Sequence, residues 1–163
     1  MARRVFFSFH YENDVTRSMV VRNSLTIKSK EKTGFVDKAE FEKIKRQGDR
    51  AIKKWIDTQL NGTSVTVVLV GSETLNREYV KYEIEQSYKR GNAILAVNVG
   101  NVKDLTGNIS TSQSVYNVVI GKNIDGSSLW FSNIVDGIYD YKLNDGYNNL
   151  GDWIEKAATK KGK

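Results

Sequence analysis

Short apolar runs alternate with longer amphipathic stretches through roughly the first hundred residues. Residues 4–9 (Arg4-Val5-Phe6-Phe7-Ser8-Phe9), 65–70 (Val65-Thr66-Val67-Val68-Leu69-Val70) and 93–99 (Ala93-Ile94-Leu95-Ala96-Val97-Asn98-Val99) are rich in β-branched and aromatic side chains. Runs of this length and composition read as strands buried on both faces. Gly34-Phe35-Val36-Asp37 reads as a shorter strand between the first two. The intervening stretches carry the helical period. The first has Asn13 or Asp14 as a cap, then Val15, Met19, Val20 and Leu25, and it frays through residues 28–32. A second, over residues 49–60, places Ile52, Trp55, Ile56 and Leu60 on one face and closes at Asn61-Gly62 in the left-handed conformation. A third, over residues 77–90, puts Val80, Ile84, Ser87 and Tyr88 on the stripe that faces a sheet. Strand and helix in regular alternation predict an α/β domain: a doubly wound, mostly parallel sheet with helices on both faces, flavodoxin-like or Rossmann-like.

Beyond Val99 the pattern weakens. Residues 100–114 form a polar loop, residues 115–120 suit a fifth strand, and residues 123–146 are rich in Asp, Asn, Gly and aromatics that can fold back over the sheet. Leu150, Trp153 and Ile154 mark a closing helix over residues 147–158, ahead of a frayed lysine tail at 160–163. The 163 residues hold no repeat, no proline and no linker, so a single domain over 1–163 is expected.

Composition removes several chemistries. With no cysteine and one histidine, His10, the chain has no thiol nucleophile, no disulfide and no multi-histidine metal site. No apolar run approaches the ~20 residues that span a bilayer, and the first strand is too short and polar for a secretory signal, so a cytoplasmic location is expected. The net charge of +6 is scattered, without a basic helix interleaved with stacking aromatics. It argues against nucleic acid and for a basic surface that attracts small anions.

The third helix carries the feature of most chemical interest. Glu83 lies three residues after Val80, on the margin of the sheet-facing stripe, and Tyr79 lies one turn earlier on the same margin. A half-enclosed carboxylate near the carboxyl end of a buried strand stands where open α/β sheets keep their ligand site. An ion pair with Arg90 or a lysine is the alternative use of Glu83. The occupants of this architecture can be tested in turn. The third strand ends Val70-Gly71-Ser72, without the aspartate of a phospho-accepting receiver domain. The turn Ser8-Phe9-His10-Tyr11-Glu12 is unlike a flavin phosphate loop, and neither glycine-rich nucleotide motif is present. Ser8 or Ser72 with His10 lacks the setting of an acyl-transfer nucleophile. One carboxylate suffices, however, to cleave an N-glycosidic bond whose leaving group is already cationic, because the departing base needs no proton and the transition state is oxocarbenium-like.

Val5-Phe6-Phe7-Ser8-Phe9-His10-Tyr11-Glu12-Asn13-Asp14 resembles the opening strand and loop of TIR-like domains. Val67-Val68-Leu69-Val70-Gly71-Ser72-Glu73-Thr74, followed by Glu78-Tyr79-Val80-Lys81-Tyr82-Glu83-Ile84, is similar to that family's Ser/Gly-x-x-Thr and Trp-x-x-x-Glu-Ile/Leu block. The likeness spans about residues 4–99 and is strongest to the bacterial TIR-like subfamily of Thoeris anti-phage systems. It implies that Glu83 is the catalytic glutamate and NAD+ the substrate, with no further cofactor. Tyr79 stands where many members have tryptophan. Phe7, Ser8, His10 and Ser72 are the implied substrate-binding residues with Tyr79, joined by Asp37 at the start of a mobile loop beside the site. Phe7, Phe9, Tyr11 and Tyr79 are candidates to line a pocket that folds adenine back onto the ribose, although at least one of Phe7 and Phe9 belongs to the core. The implied product is a cyclic ADP-ribose-type signal that activates a separate effector, after a phage-derived trigger or homo-oligomerisation. Two other readings stay open: a non-catalytic TIR-like interaction module acting through the loop 38–46, and a nucleoside deoxyribosyltransferase-like enzyme.

Overall fold

A computed structural model describes residues 3–29, 32–34 and 43–163. In chain order these form β1 (Arg4–Phe9), α1 (Tyr11–Ser29), β2 (Lys32–Gly34), α2 (Asp49–Leu60), β3 (Val65–Val70), a 3-10 turn (Thr74–Asn76), α3 (Glu78–Lys89), β4 (Ala93–Asn98), β5 (Val119–Lys122), β6 (Ser128–Trp130), α4 (Phe131–Ile134), β7 (Gly137–Asp140) and α5 (Gly146–Lys160). Five strands make one parallel sheet in the order β2-β1-β3-β4-β7. This is the α/β architecture that the alternating pattern predicts.

Strand parity divides the interior into two cores. Val5 and Phe7 of β1, with Val65, Val67 and Leu69 of β3, pack under Val21 and Leu25 of α1 and Leu150 and Ile154 of α5. The opposite face carries Phe6 beneath Ile52, Ile56 and Leu60 of α2, and Val68 and Val70 beneath Val80 and Ile84 of α3. Phe7 and Phe9 share a parity, and both pack on the α1–α5 side. Among the described residues no helix is long and apolar enough to cross a membrane.

Four expectations need correction. The short second strand already runs from Lys32 to Gly34, starting two residues before the expected Gly34; the expected residues 35–37 lie outside the described residues. The segment expected as a fifth strand contributes β5, which pairs antiparallel with β6 in a separate two-stranded ribbon. The fifth parallel strand is β7, from the stretch expected to fold back. As an edge strand with alternately half-covered residues, β7 lacks the apolar run that announces a buried strand. Its Tyr139 stacks on Trp153 of α5, rings parallel within 5° and centroids 4.0 Å apart.

The third and fourth corrections concern helix faces. α1 begins at Tyr11, directly after β1, and its cap is neither Asn13 nor Asp14. His10 supplies it: its Nδ1 accepts the Asn13 N–H at 3.2 Å and its carbonyl the Asp14 N–H at 2.9 Å. The buried side of α1 is Asp14, Arg17, Ser18, Val21 and Leu25, whereas Val20 is 46% exposed. Arg17 occupies that side because its guanidinium donates to the carbonyls of Val102 at 2.7 Å and Asn108 at 3.0 Å, tying down the loop after β4. In α3, Val80, Ile84 and Ser87 face inward as the period predicts, but Tyr88 is exposed.

Candidate functional site

β1 has β2 on one side and β3 on the other, so the chain reverses its direction of travel across the sheet at β1. Ligand crevices of open α/β sheets lie at the carboxyl edge of such a switch point. A cleft opens there. Phe6, Phe7, Phe9, His10 and Tyr11 line it from the end of β1 and the start of α1. Trp55 of α2 lines one wall, and Arg77, Tyr79, Val80 and Glu83 another.

Glu83 owes its position to the packing of α3. Val80 and Ile84, each 3% exposed or less, hold that helix against the sheet. The Ser87 hydroxyl, itself in contact with the Thr66 hydroxyl, donates to the Glu83 carbonyl at 2.6 Å. The Glu83 carboxyl then reaches over β1, where the Ser8 hydroxyl donates to its Oε2. Arg90 does not pair with it; Arg90 donates to Asn61 Oδ1 and to the Asp57 carbonyl. Burial disfavours the charged form and pushes the Glu83 pKa up to about 8, against the weaker downward pull of the Ser8 hydrogen bond, with no cation among the described residues to oppose it. Glu83 keeps some exposed surface, which fits a side chain whose cavity face is open while protein packs around the rest.

Tyr79 adds an aromatic wall with a fixed tip. Its hydroxyl donates to Asp49 Oδ1 at 3.0 Å, linking α3 to the first turn of α2. Partial burial and the Asp49 carboxylate raise its pKa, so the phenol stays neutral and a donor. Next along α3 the Tyr82 hydroxyl faces both Asp57 oxygens at 3.0 Å, and its pKa is pushed up to about 12, first by burial and then by that carboxylate. These two tyrosines tie α3 to α2, the helix that carries Trp55.

The sequence-derived site residues separate on this geometry. His10, Tyr79 and Glu83 line the cleft; Ser8 is fully buried behind it and is joined to it only through its hydrogen bond to Glu83. Phe7 reaches its wall but is 3% exposed and packs in the α1–α5 core. Ser72 is half-buried in the turn after β3 and is not among the cleft residues. Asp37, like most of the loop 38–46, lies outside the described residues. Sequence reasoning missed Trp55 and Arg77 as cleft residues. Trp55 stands three residues after Ile52, on the margin of its helix stripe just as Glu83 does on its own. That margin was a usable signal; a lone arginine ahead of a helix offered none.

The model of the family described as Thoeris protein ThsB, TIR-like domain, matches residues 6–104, from β1 to the loop after β4. A protein of Bacillus cereus (strain MSX-D12), provisionally named cyclic ADP-D-ribose synthase ThsB1, is 44% identical over 113 residues. That match covers 68% of this chain and 59% of the relative's own length. The matched segment contains Ser8, His10, Trp55, Arg77, Tyr79 and Glu83, and the chain belongs to the family of Thoeris ThsB TIR-like domains.

Proposed function

We propose that the chain is an NAD+-cleaving enzyme of bacterial anti-phage defence. It acts in the cytoplasm and makes a cyclic ADP-ribose-type signal for a separate effector. The observation that carries this reading is Glu83: a carboxyl without a cationic partner among the described residues, hydrogen-bonded by Ser8, and set in an aromatic-lined cleft at the switch point of the sheet. The name carried by the Bacillus cereus relative supports the same chemistry.

The mechanism follows from charge. The ribosyl–nicotinamide bond breaks with its electron pair going to the ring nitrogen, so a pyridinium leaves as neutral nicotinamide and no acid is required. Positive charge then develops on the anomeric carbon and ring oxygen of the ribose. Glu83, once ionised, stabilises that charge and accepts a hydrogen bond from a ribose hydroxyl. The pyridinium itself favours the ionised form, because an opposite charge within a few ångströms lowers a carboxyl pKa. Trp55 and Tyr79 give flat walls for the departing ring. A nucleophile from the adenine end of the substrate then attacks in place of water, which requires a cleft that excludes solvent around the cation.

The test is nicotinamide release from NAD+ by the purified protein, with and without lysate from phage-infected cells. Glu83→Gln is expected to cut the rate by ~100-fold or more, the scale of losing one preorganised electrostatic group. Unchanged turnover in the variant, or turnover of deoxyribonucleosides without NAD+ loss, would contradict it.

A further inference from the structure

Among the described residues that line the cleft with Glu83, Arg77 is the one arginine or lysine. Arg77 immediately precedes α3, is exposed, and lines the same cavity. Arg77 is the extended residue that caps α3, six positions before Glu83. Two acidic side chains on neighbouring elements, Glu12 and Glu73, are engaged with other partners, and no ion pair or hydrogen bond among the described residues takes the Arg77 guanidinium. Glu12 takes the Lys45 ammonium at 2.8 Å, and Arg77 is only a lesser contributor to the field that lowers its pKa. Glu73 accepts the Asn13 side-chain amide at 2.8 Å. The guanidinium donors are thus available to something that enters the cleft.

A substrate matched to both residues would carry a glycosidic carbon at Glu83 and an anion elsewhere in the same cleft, at Arg77. We propose that Arg77 is the anion anchor of the cleft and binds the diphosphate of a dinucleotide whose glycosidic bond lies against Glu83. This inference rests on the NAD+-cleaving reading. A guanidinium presents paired donors that fit two phosphate oxygens, which a lysine ammonium does not reproduce. Arg77 therefore governs selection between phosphorylated and unphosphorylated glycosides, while Glu83 acts on the bond common to both.

The experiment measures binding in a Glu83→Gln background, where turnover does not deplete the probes. Nicotinamide riboside, nicotinamide mononucleotide and NAD+ are titrated calorimetrically into protein with Arg77 intact, then with Arg77→Gln, then with Arg77→Lys. Arg77→Gln is expected to weaken the mononucleotide and NAD+ about tenfold, the scale of one charge-assisted contact at an exposed site. The riboside affinity stays unchanged, and Arg77→Lys falls between. Equal weakening of all three probes assigns Arg77 a general structural role and overturns the proposal. Unchanged affinity for all three overturns it too and leaves the NAD+ reading standing. Failure of every probe to bind with Arg77 intact overturns both.

Discussion

On the proposed mechanism Glu83 must be ionised to stabilise an oxocarbenium ion, yet burial pushes its pKa up to about 8 and so favours the protonated form at neutral pH. For the free enzyme this sets the sign of the pH dependence: kcat/KM rises with pH and levels off above about 8. Ser8 favours the ionised form through its hydrogen bond, so Ser8→Ala should move that rising limb to higher pH. A pH–rate profile whose limb stays in place would remove Ser8 from this role. The same proton couples to folding. An unfolded chain releases it near 4.5 and the native state keeps it to about 8, so this group lowers stability progressively as pH rises through that window. Glu83→Gln removes the slope. In urea melts at about pH 5 and about pH 9, the variant should gain on the wild type at the higher pH, by an amount on the order of a few kcal/mol.

Among the elements, the turn between β3 and α3 places Glu83, and its tightness rests on Gly71. A Cβ there would lie 2.2 Å from Asp14 Oδ2. Asp14 has little room to retreat: it is 2% exposed and sits 3.5 Å from the Arg17 guanidinium and 3.4 Å from the Thr74 hydroxyl. Gly71→Ala should therefore lower the melting temperature by roughly 5–10 °C, the equivalent of 2–3 kcal/mol in a domain this size. A melting curve superimposable on wild type would show that the Asp14 side yields. The Gly-Ser turn, the α3 stripe and Glu83 at its margin were legible in the sequence because apolar burial dictates them. The face of α1 was not. Arg17 and Asp14 are buried by pairing with each other and with loop carbonyls, and a hydropathy pattern does not record pairing. Trp55 read as part of the apolar face of its helix; its place on the margin of that face was the signal for a cleft residue.

At the scale of the molecule, the later half of the chain serves the earlier half. Residues 6–104 carry the family match and every described cleft residue. The excursion between β4 and β7 then returns to the underside of α3, where Val115, Ile120, Leu129 and the fully buried Phe131 pack with Val80 and Ile84. The helix that aims Glu83 is thereby clamped between the sheet and a segment whose short strands left little periodic trace in the sequence. β7 escaped notice because it is an edge strand of four residues, so the parallel sheet was legible but its last strand was not.

Mass spectrometry of small molecules from cells that express either the wild type or Glu83→Gln, before and after phage challenge, puts the proposed chemistry to its most direct test. Wild-type cells should lose NAD+ and accumulate nicotinamide with a cyclic ADP-ribose isomer after challenge, and Glu83→Gln cells should do neither. Identical nucleotide profiles in the two strains, with protection against phage retained by the variant, would contradict it.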